Sequence, residues 1–185
     1  VRDGKLLLAK GYGWADVEQQ VPVVADRSRF HIGSNTKLFT WTAVMQLVEQ
    51  GKLDLDEDVN TYLDFKIPPR DGKPITLRQV MTHTAGFEET ARGLILDDPA
   101  AMASIEESVK HWIPTRVYEG GTTPAYSNYA TSLAGYIVQR VSGMSFDDYI
   151  ERNIFAPLGM TRSTFRQPLP EKFKPYMSNG YKSGS

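Results

Sequence analysis

The feature that most constrains this chain is the stretch from Gly33-Ser34 to Glu49. Leu38, Phe39, Trp41, Ala43, Val44, Met45, Leu47 and Val48 cover most of a helical surface at the 3.6-residue period, and Gly51 supplies a C-terminal stop. A helix that is apolar nearly all round has to be enclosed by other elements. The spacing therefore predicts a central, buried helix with the rest of a fold built about it. With 185 residues the chain is long enough to do this, since a chain of that size buries roughly 70% of its unfolded surface. The length suits one ordinary domain, or a domain plus a small lobe.

Charge and composition remove several classes of function. There are 21 Lys and Arg against 22 Asp and Glu, a net charge of -1. Binding to nucleic acid or to an acidic membrane is driven mainly by basic side chains neutralising phosphates, so neither partner is expected. No apolar run approaches the roughly 20 residues of a bilayer span. The densest stretch, Leu38 to Val48, is broken by Thr40, Thr42 and Gln46. With no cysteine, disulfides, thiolate chemistry and cysteine zinc sites are excluded. The first residues, Val1-Arg2-Asp3-Gly4-Lys5, resemble neither an initiator Met nor a signal peptide, and the expectation is that the chain begins inside a longer gene product.

Around the central helix the other elements follow from turn and cap chemistry. Lys5 to Ala9 and Gly11-Tyr12-Gly13-Trp14 read as two short strands about a glycine bend. Leu53-Asp54-Leu55-Asp56-Glu57-Asp58 has alternate acids like a calcium loop, but Val59 and Phe65 stand where that loop needs Gly and Glu, so it reads as a solvated charged loop. After the turn Pro68-Pro69-Arg70-Asp71-Gly72, a short helix is expected from Thr76 to Thr82 and helical character over 99–112. Tyr118 to Pro124 carries Gly120-Gly121 and must be a loop. A helix then runs from about Asn128 to Val141, with Leu133, Ile137, Val138 and Val141 on one stripe and Gly143 ending it. Ser145 caps another, with Asp148 completing a capping-box pattern, and Pro157 and Gly159 terminate it.

Three constellations could carry chemistry. Ser34-Asn35-Thr36-Lys37 places a hydroxyl and an amine three residues apart at a helix start, on one face and within reach. A seryl hydroxyl becomes a nucleophile when a base takes its proton, and Lys37 could be that base if burial or a nearby cation brought its ammonium below the usual value of about 10.4. The helix N-terminus would favour negative charge on the oxygen. With 12 Ser and 10 Lys, however, about 0.65 S-x-x-K matches arise by chance, and Ser34 could equally be an N-cap. In Tyr126-Ser127-Asn128, at the exit from the glycine loop, the phenol could shuttle a proton and the amide could hold a substrate carbonyl. Packing of Tyr126 and capping by Asn128 is the alternative. His31, His83 and His111 lie far apart, so no metal site is expected. There is no G-x-S-x-G elbow. His83, in Met81-Thr82-His83-Thr84-Ala85-Gly86-Phe87, reads as a residue that braces its loop.

Together, Phe30-His31-Ile32-Gly33-Ser34-Asn35-Thr36-Lys37, His83-Thr84-Ala85-Gly86, Tyr126-Ser127-Asn128 and Ile154-Phe155-Ala156-Pro157-Leu158-Gly159-Met160 resemble, in order, the landmarks of the serine β-lactamase and penicillin-binding superfamily. Tyr126, where class A enzymes have Ser, points to the class C branch, with its related esterases and D-amino-acid peptidases. The resemblance runs from the Gly11-Tyr12-Gly13 region to about Phe165. It implies Ser34 as the acylated nucleophile, Lys37 as proton acceptor, Tyr126 as a second acid/base and Asn128 as the substrate-orienting amide. An oxyanion hole would combine the Ser34 N–H with an N–H from a later strand. The implied substrate is a β-lactam, ester or D-amino-acid amide, and no cofactor or metal is implied. Export to the periplasm or outside the cell is expected by analogy alone, and the oligomeric state is left open.

The implied fold class is α+β, β-lactamase/transpeptidase-like. Residues 1–33 would supply N-terminal strands of the sheet lobe, 34–165 the nucleophile helix and helical lobe, and 166–185 a polar segment leading toward further sheet. The family's third motif, Lys-Thr-Gly or His-x-Gly, should lie much farther along. Lys182-Ser183-Gly184 has similar letters, but its polar surroundings show no strand pattern, and it reads as coincidence. Glu119 stands before Gly120 where relatives often carry Pro. The expectation is thus a chain incomplete at both ends, with apolar surface left open beside the Ser34 helix or covered by another chain. The alternative function is a non-catalytic binding or scaffold protein that keeps the fold.

Overall fold

The computed structural model describes residues 1–89, 96, 98 and 101–181. The chain forms two units, one of residues 34–160 and one of residues 1–33 together with the chain from Thr161 onward. The first unit is helical, with α1 (Lys37–Glu49), α2 (Leu77–Met81), α3 (Ile105–His111), α4 (Asn128–Ser142) and α5 (Phe146–Ile150), the last continued by a π-helical turn at Glu151–Phe155. The second carries β1 (Trp14–Asp16), paired antiparallel with β2 (Val21–Pro22).

Short polar side chains start these helices by accepting the N–H groups that the first turn leaves unpaired. Ser127 Oγ accepts from Ala130 N–H (3.1 Å) and Ser145 Oγ from Asp148 N–H (3.2 Å). Thr76 with Gln79 and Ser104 with Glu107 form reciprocal capping boxes. At the far end of α4, Gly143 takes φ +70° and returns its N–H to Gln139 O. That backbone conformation is available to Gly at little cost.

The central helix is α4. Ala130, Leu133, Ala134, Ile137 and Val138 form a stripe with no exposed surface, and Tyr129, Gly135 and Tyr136 bury further sides of the same helix. Its neighbours are α1, α2, α3 and α5. Here the structure corrects the expectation for the Ser34 helix. α1 buries one stripe, Thr40, Ala43, Val44 and Leu47, at the i, i+3, i+4, i+7 spacing of a single contact face. Leu38 and Met45, seven residues apart on another face, are 64% and 44% exposed. Apolar composition all round does not enclose a helix unless something packs on each side.

The strand reading of Lys5 to Ala9 and Gly11 to Trp14 is also corrected. Strand pairing begins at Trp14, and Leu6, Leu7 and Leu8 are about two-thirds exposed (71%, 67% and 69%). A strand is defined by its ladder partner, and no strand among the described residues pairs with this segment. Of the helical character expected over 99–112, the described residues show a helix at Ile105–His111, and residues 99 and 100 lie outside them. The acidic loop is braced by its own carboxylates. Asp56 forms a bidentate pair with Arg78 (2.7 Å for both bonds), Asp54 accepts from Asp56 N–H, and Asp58 caps Asn60. The Arg78 hydrogen bond holds the Asp56 carboxyl below its ordinary value. In the smaller unit, Arg29 exchanges backbone bonds with Tyr176 and Ser178 and lays its guanidinium over Phe173. The C-terminal segment thereby returns to the N-terminal one.

Candidate active site

All four residues singled out in the sequence meet at one place, within the helical unit. A 3₁₀ turn, Gly33–Thr36, leads into α1 and sets Ser34 one turn ahead of Lys37. Lys37 Nζ lies 3.1 Å from Ser34 Oγ. Tyr126 OH, 92 residues away in sequence, lies 2.5 Å from the same Oγ. Lys37 Nζ also donates to Asn128 Oδ1 at 2.6 Å and sits 4.8 Å from the centre of the Tyr126 ring. The seryl oxygen therefore touches two groups able to exchange a proton with it, and one of these is anchored by an amide. Hydrogen bonds from Lys37 first and Ser34 second pull the Tyr126 phenol below its ordinary 10.0. Both bonds favour the phenolate.

The competing structural roles fall elsewhere. Thr36 occupies the N-cap position of α1, two residues beyond Ser34, and Ser127, not Asn128, caps α4. This frees Ser34 Oγ and the Asn128 amide to face Lys37. Tyr126 is 48% exposed, so the cluster is open to an incoming molecule.

The loop 83–89 shapes the Tyr126–Asn128 tripeptide. His83, read from the sequence as a loop brace, accepts Ala125 N–H on its carbonyl (2.7 Å) and Ser127 N–H on Nδ1 (3.3 Å). Its ring stacks on Tyr126 with centroids 4.6 Å apart. Burial, and secondly the charge on Lys37, hold the His83 ring below its ordinary 6.5, with Glu89 opposing. The neutral ring is the form that accepts the Ser127 N–H. Between 6.5 and the lower folded value the unfolded chain binds a proton that the folded chain refuses, so the stabilisation is complete above 6.5 and is lost as the pH falls. Denaturation midpoints of the full-length protein, measured from about pH 7.5 to 5, are expected to fall across this window. A His83→Asn variant, which tolerates the positive φ of 55° at this position, should fall less steeply. Equal slopes would remove His83 from the linkage.

Gly86 makes that loop possible. Its φ is +82°, and a Cβ there would stand 2.1 Å from the Tyr118 carbonyl oxygen, while its own oxygen accepts both Val117 and Tyr118 N–H. Gly86→Ala is therefore expected to lower stability by at least about 2 kcal/mol, combining backbone strain with a backbone collision. Chemical denaturation would measure it, and a change below about 0.5 kcal/mol would contradict the close approach.

One residue of the site escaped sequence reasoning. Glu89 accepts Asn128 N–H at 2.9 Å and Asn128 Nδ2 at 3.0 Å. Neither its type nor its spacing marks it, because the contact joins residues 39 apart. Glu119, flagged as a departure, pairs with Lys73, whose hydrogen bond holds the carboxyl below its ordinary value. Among the described residues no group of three His, Cys, Asp or Glu side chains is placed to hold a metal, and no helix is long and apolar enough to cross a membrane. Lys182-Ser183-Gly184 lies outside the described residues.

Comparison with known proteins identifies the family. A family model described as Beta-lactamase matches residues 1–184. The putative penicillin-binding protein PbpX of Bacillus subtilis (strain 168) is 33% identical over 187 residues, covering 98% of this chain and 44% of that protein. Among solved structures, the octameric penicillin-binding protein homologue from Pyrococcus abyssi is 31% identical with a TM-score of 0.83, over 98% of this chain and 42% of that one. EstCE1, a hydrolase with promiscuous acyltransferase activity, is 26% identical with a TM-score of 0.84, over 100% of this chain and 51% of that one. The chain thus spans about half or less of the relatives it matches. Its helices and small antiparallel sheet match the β-lactamase/transpeptidase-like fold. By family model and backbone alike, the chain belongs to the beta-lactamase family.

Proposed function

We propose that this chain provides the nucleophile and proton-relay part of a serine hydrolase that forms an acyl-enzyme at Ser34. The observation that carries the reading is the triangle of Ser34 Oγ, Lys37 Nζ and Tyr126 OH, with contacts of 3.1 and 2.5 Å at the oxygen. In acylation, Ser34 Oγ would attack a carbonyl carbon and pass its proton to Lys37 or Tyr126 as the C–O bond forms. The same pair would return the proton to the leaving nitrogen or oxygen as the old acyl bond breaks. Water would then add to the ester, giving up its proton to the relay, and release the acyl group with Ser34 reprotonated. Asn128, at the mouth of the relay, would orient the substrate's amide or carbonyl.

The substrate class proposed is a β-lactam, an ester or a D-amino-acid amide. Support comes from similarity to a protein named as penicillin-binding and to one described as a hydrolase with acyltransferase activity. The test is to incubate the full-length protein with a fluorescent penicillin and, separately, a fluorophosphonate, then digest it and locate the adduct by mass spectrometry. An adduct on the peptide containing Ser34 is expected from at least one probe. No adduct from either, or adducts confined to other serines, would overturn the assignment.

A further inference from the structure

We infer that Glu89 is a positioning residue that fixes the Asn128 amide in the one orientation that leaves the Lys37 nitrogen aimed at Ser34. The inference rests on the acyl-enzyme reading above and extends it to a residue with no assigned role. The two ends of an asparagine amide are alike in shape and opposite in hydrogen-bonding character, so its partners decide which way it lies. On one side stands Lys37 Nζ, 2.6 Å from Oδ1. On the other stands Glu89, whose carboxylate accepts and does not donate, 3.0 Å from Nδ2.

The contribution of Glu89 appears when Lys37 gives up a proton to act as base. A neutral amine has two N–H groups and one lone pair. With Asn128 Oδ1 facing it, one N–H is taken by the amide and the lone pair is left for the Ser34 hydroxyl. With the amide reversed, Nδ2 would donate to that lone pair and compete with Ser34. An ionised Glu89 opposes the reversal, because it would set the amide oxygen against a carboxylate oxygen. The second Glu89 oxygen takes Asn128 N–H at 2.9 Å, at the start of a helix of 15 residues. The positive end of that helix favours a negative charge there. One carboxylate thus holds both the backbone and the side chain of Asn128. His83 holds the neighbouring Ala125 and Ser127 N–H groups from the same loop.

The charge on Glu89 also bears on the relay as a whole. Among the described residues, the charged and titratable groups around Tyr126 are Lys37 from α1 and His83 and Glu89 from the loop, with the Ser34 hydroxyl bonded to the phenol. Glu89 acts on the phenol in the sense opposite to Lys37. Removing its charge makes a proton leave this cluster more readily.

The test measures the acylation rate of the full-length protein by the labelling probe, against pH, for wild type, Glu89→Gln, Asn128→Ala and the double variant. Glu89→Gln is expected to lower the plateau rate about tenfold, as for coupled neighbouring groups, and to move the rising limb of the profile to lower pH. In the Asn128→Ala background the same change should alter the plateau rate by less than about twofold, because its route through the amide is gone, while the shift of the limb, which comes from the charge, remains. An unchanged plateau and limb in Glu89→Gln, or an equal loss in both backgrounds, would overturn the inference. Should Glu89→Gln fail to fold, Glu89→Asp keeps the charge with a shorter reach, and an unchanged rate there would overturn the inference equally. Absence of Ser34 labelling in wild type would instead overturn the acyl-enzyme reading itself.

Discussion

Ser34→Ala is expected to abolish covalent labelling by an acylating probe, with a loss on the order of 10⁶-fold, the scale seen when the nucleophile of a serine hydrolase is removed. The change deletes one oxygen and leaves everything that positions it. Ser34 lies ahead of the N-cap residue of α1 and is exposed. Lys37 keeps its bond to Asn128, and Tyr126 keeps the stacked His83 ring. Stability should therefore move by no more than about 0.5 kcal/mol, as for a surface site. This combination, complete chemical loss with an intact fold, separates a nucleophile from a structural serine. Intact-mass measurement of the adduct and a denaturation curve on the same sample check it. Labelling of Ser34→Ala at the wild-type rate would place the reactive oxygen elsewhere.

Much of this arrangement could be read from residue types, and the parts that could not share a physical reason. Ser127, Ser145, Thr76 and Gly143 act through neighbours three or four residues away, so the start and stop of α4 and the starts of α2 and α5 are local events. The Ser34–Lys37 contact is equally local, one helical turn. Tyr126 and Asn128 join it only in three dimensions, and in sequence their claim rested on four landmarks occurring in order. Glu89 had no such support. An acid next to another acid, Glu88, in a loop reads as surface charge, and nothing local shows that the positive φ of Gly86 turns this loop onto α4. The corrected readings of α1 and of the N-terminal strands fail in the same way. Leu38 and Met45 in α1, and Leu6 to Leu8, have the side chains of buried positions. Periodicity records the character of a side chain but not whether a partner covers it. Burial of those residues depends on contacts far along a chain, which neither period nor propensity contains.

Lys37→Met should slow acylation by about 10³-fold, the range of a lost general base, and by more than Tyr126→Phe does. Both side chains touch Ser34 Oγ, so contact alone does not rank them. The rest of the network does. Lys37 bonds both Ser34 and Asn128 and is the leading influence that holds the Tyr126 phenol below its ordinary value. Its loss removes a proton acceptor, releases the Asn128 oxygen and returns the phenol toward 10.0, where less of it is ionised near neutral pH. Methionine keeps the length and apolar stem of lysine, so packing beside the Tyr126 ring is largely retained and the loss reports on the nitrogen. Tyr126→Phe leaves Lys37 in place at 3.1 Å from the hydroxyl and keeps the ring on His83. About 10²-fold is expected there, the lower end of the same range. Single-turnover labelling rates, measured at several pH values, decide between the two. A larger loss for Tyr126→Phe than for Lys37→Met would make the phenolate the base and reduce Lys37 to its electrostatic partner. Equal losses, with no further loss in the double variant, would mean that the two act as one unit, since groups sharing a proton do not contribute independently.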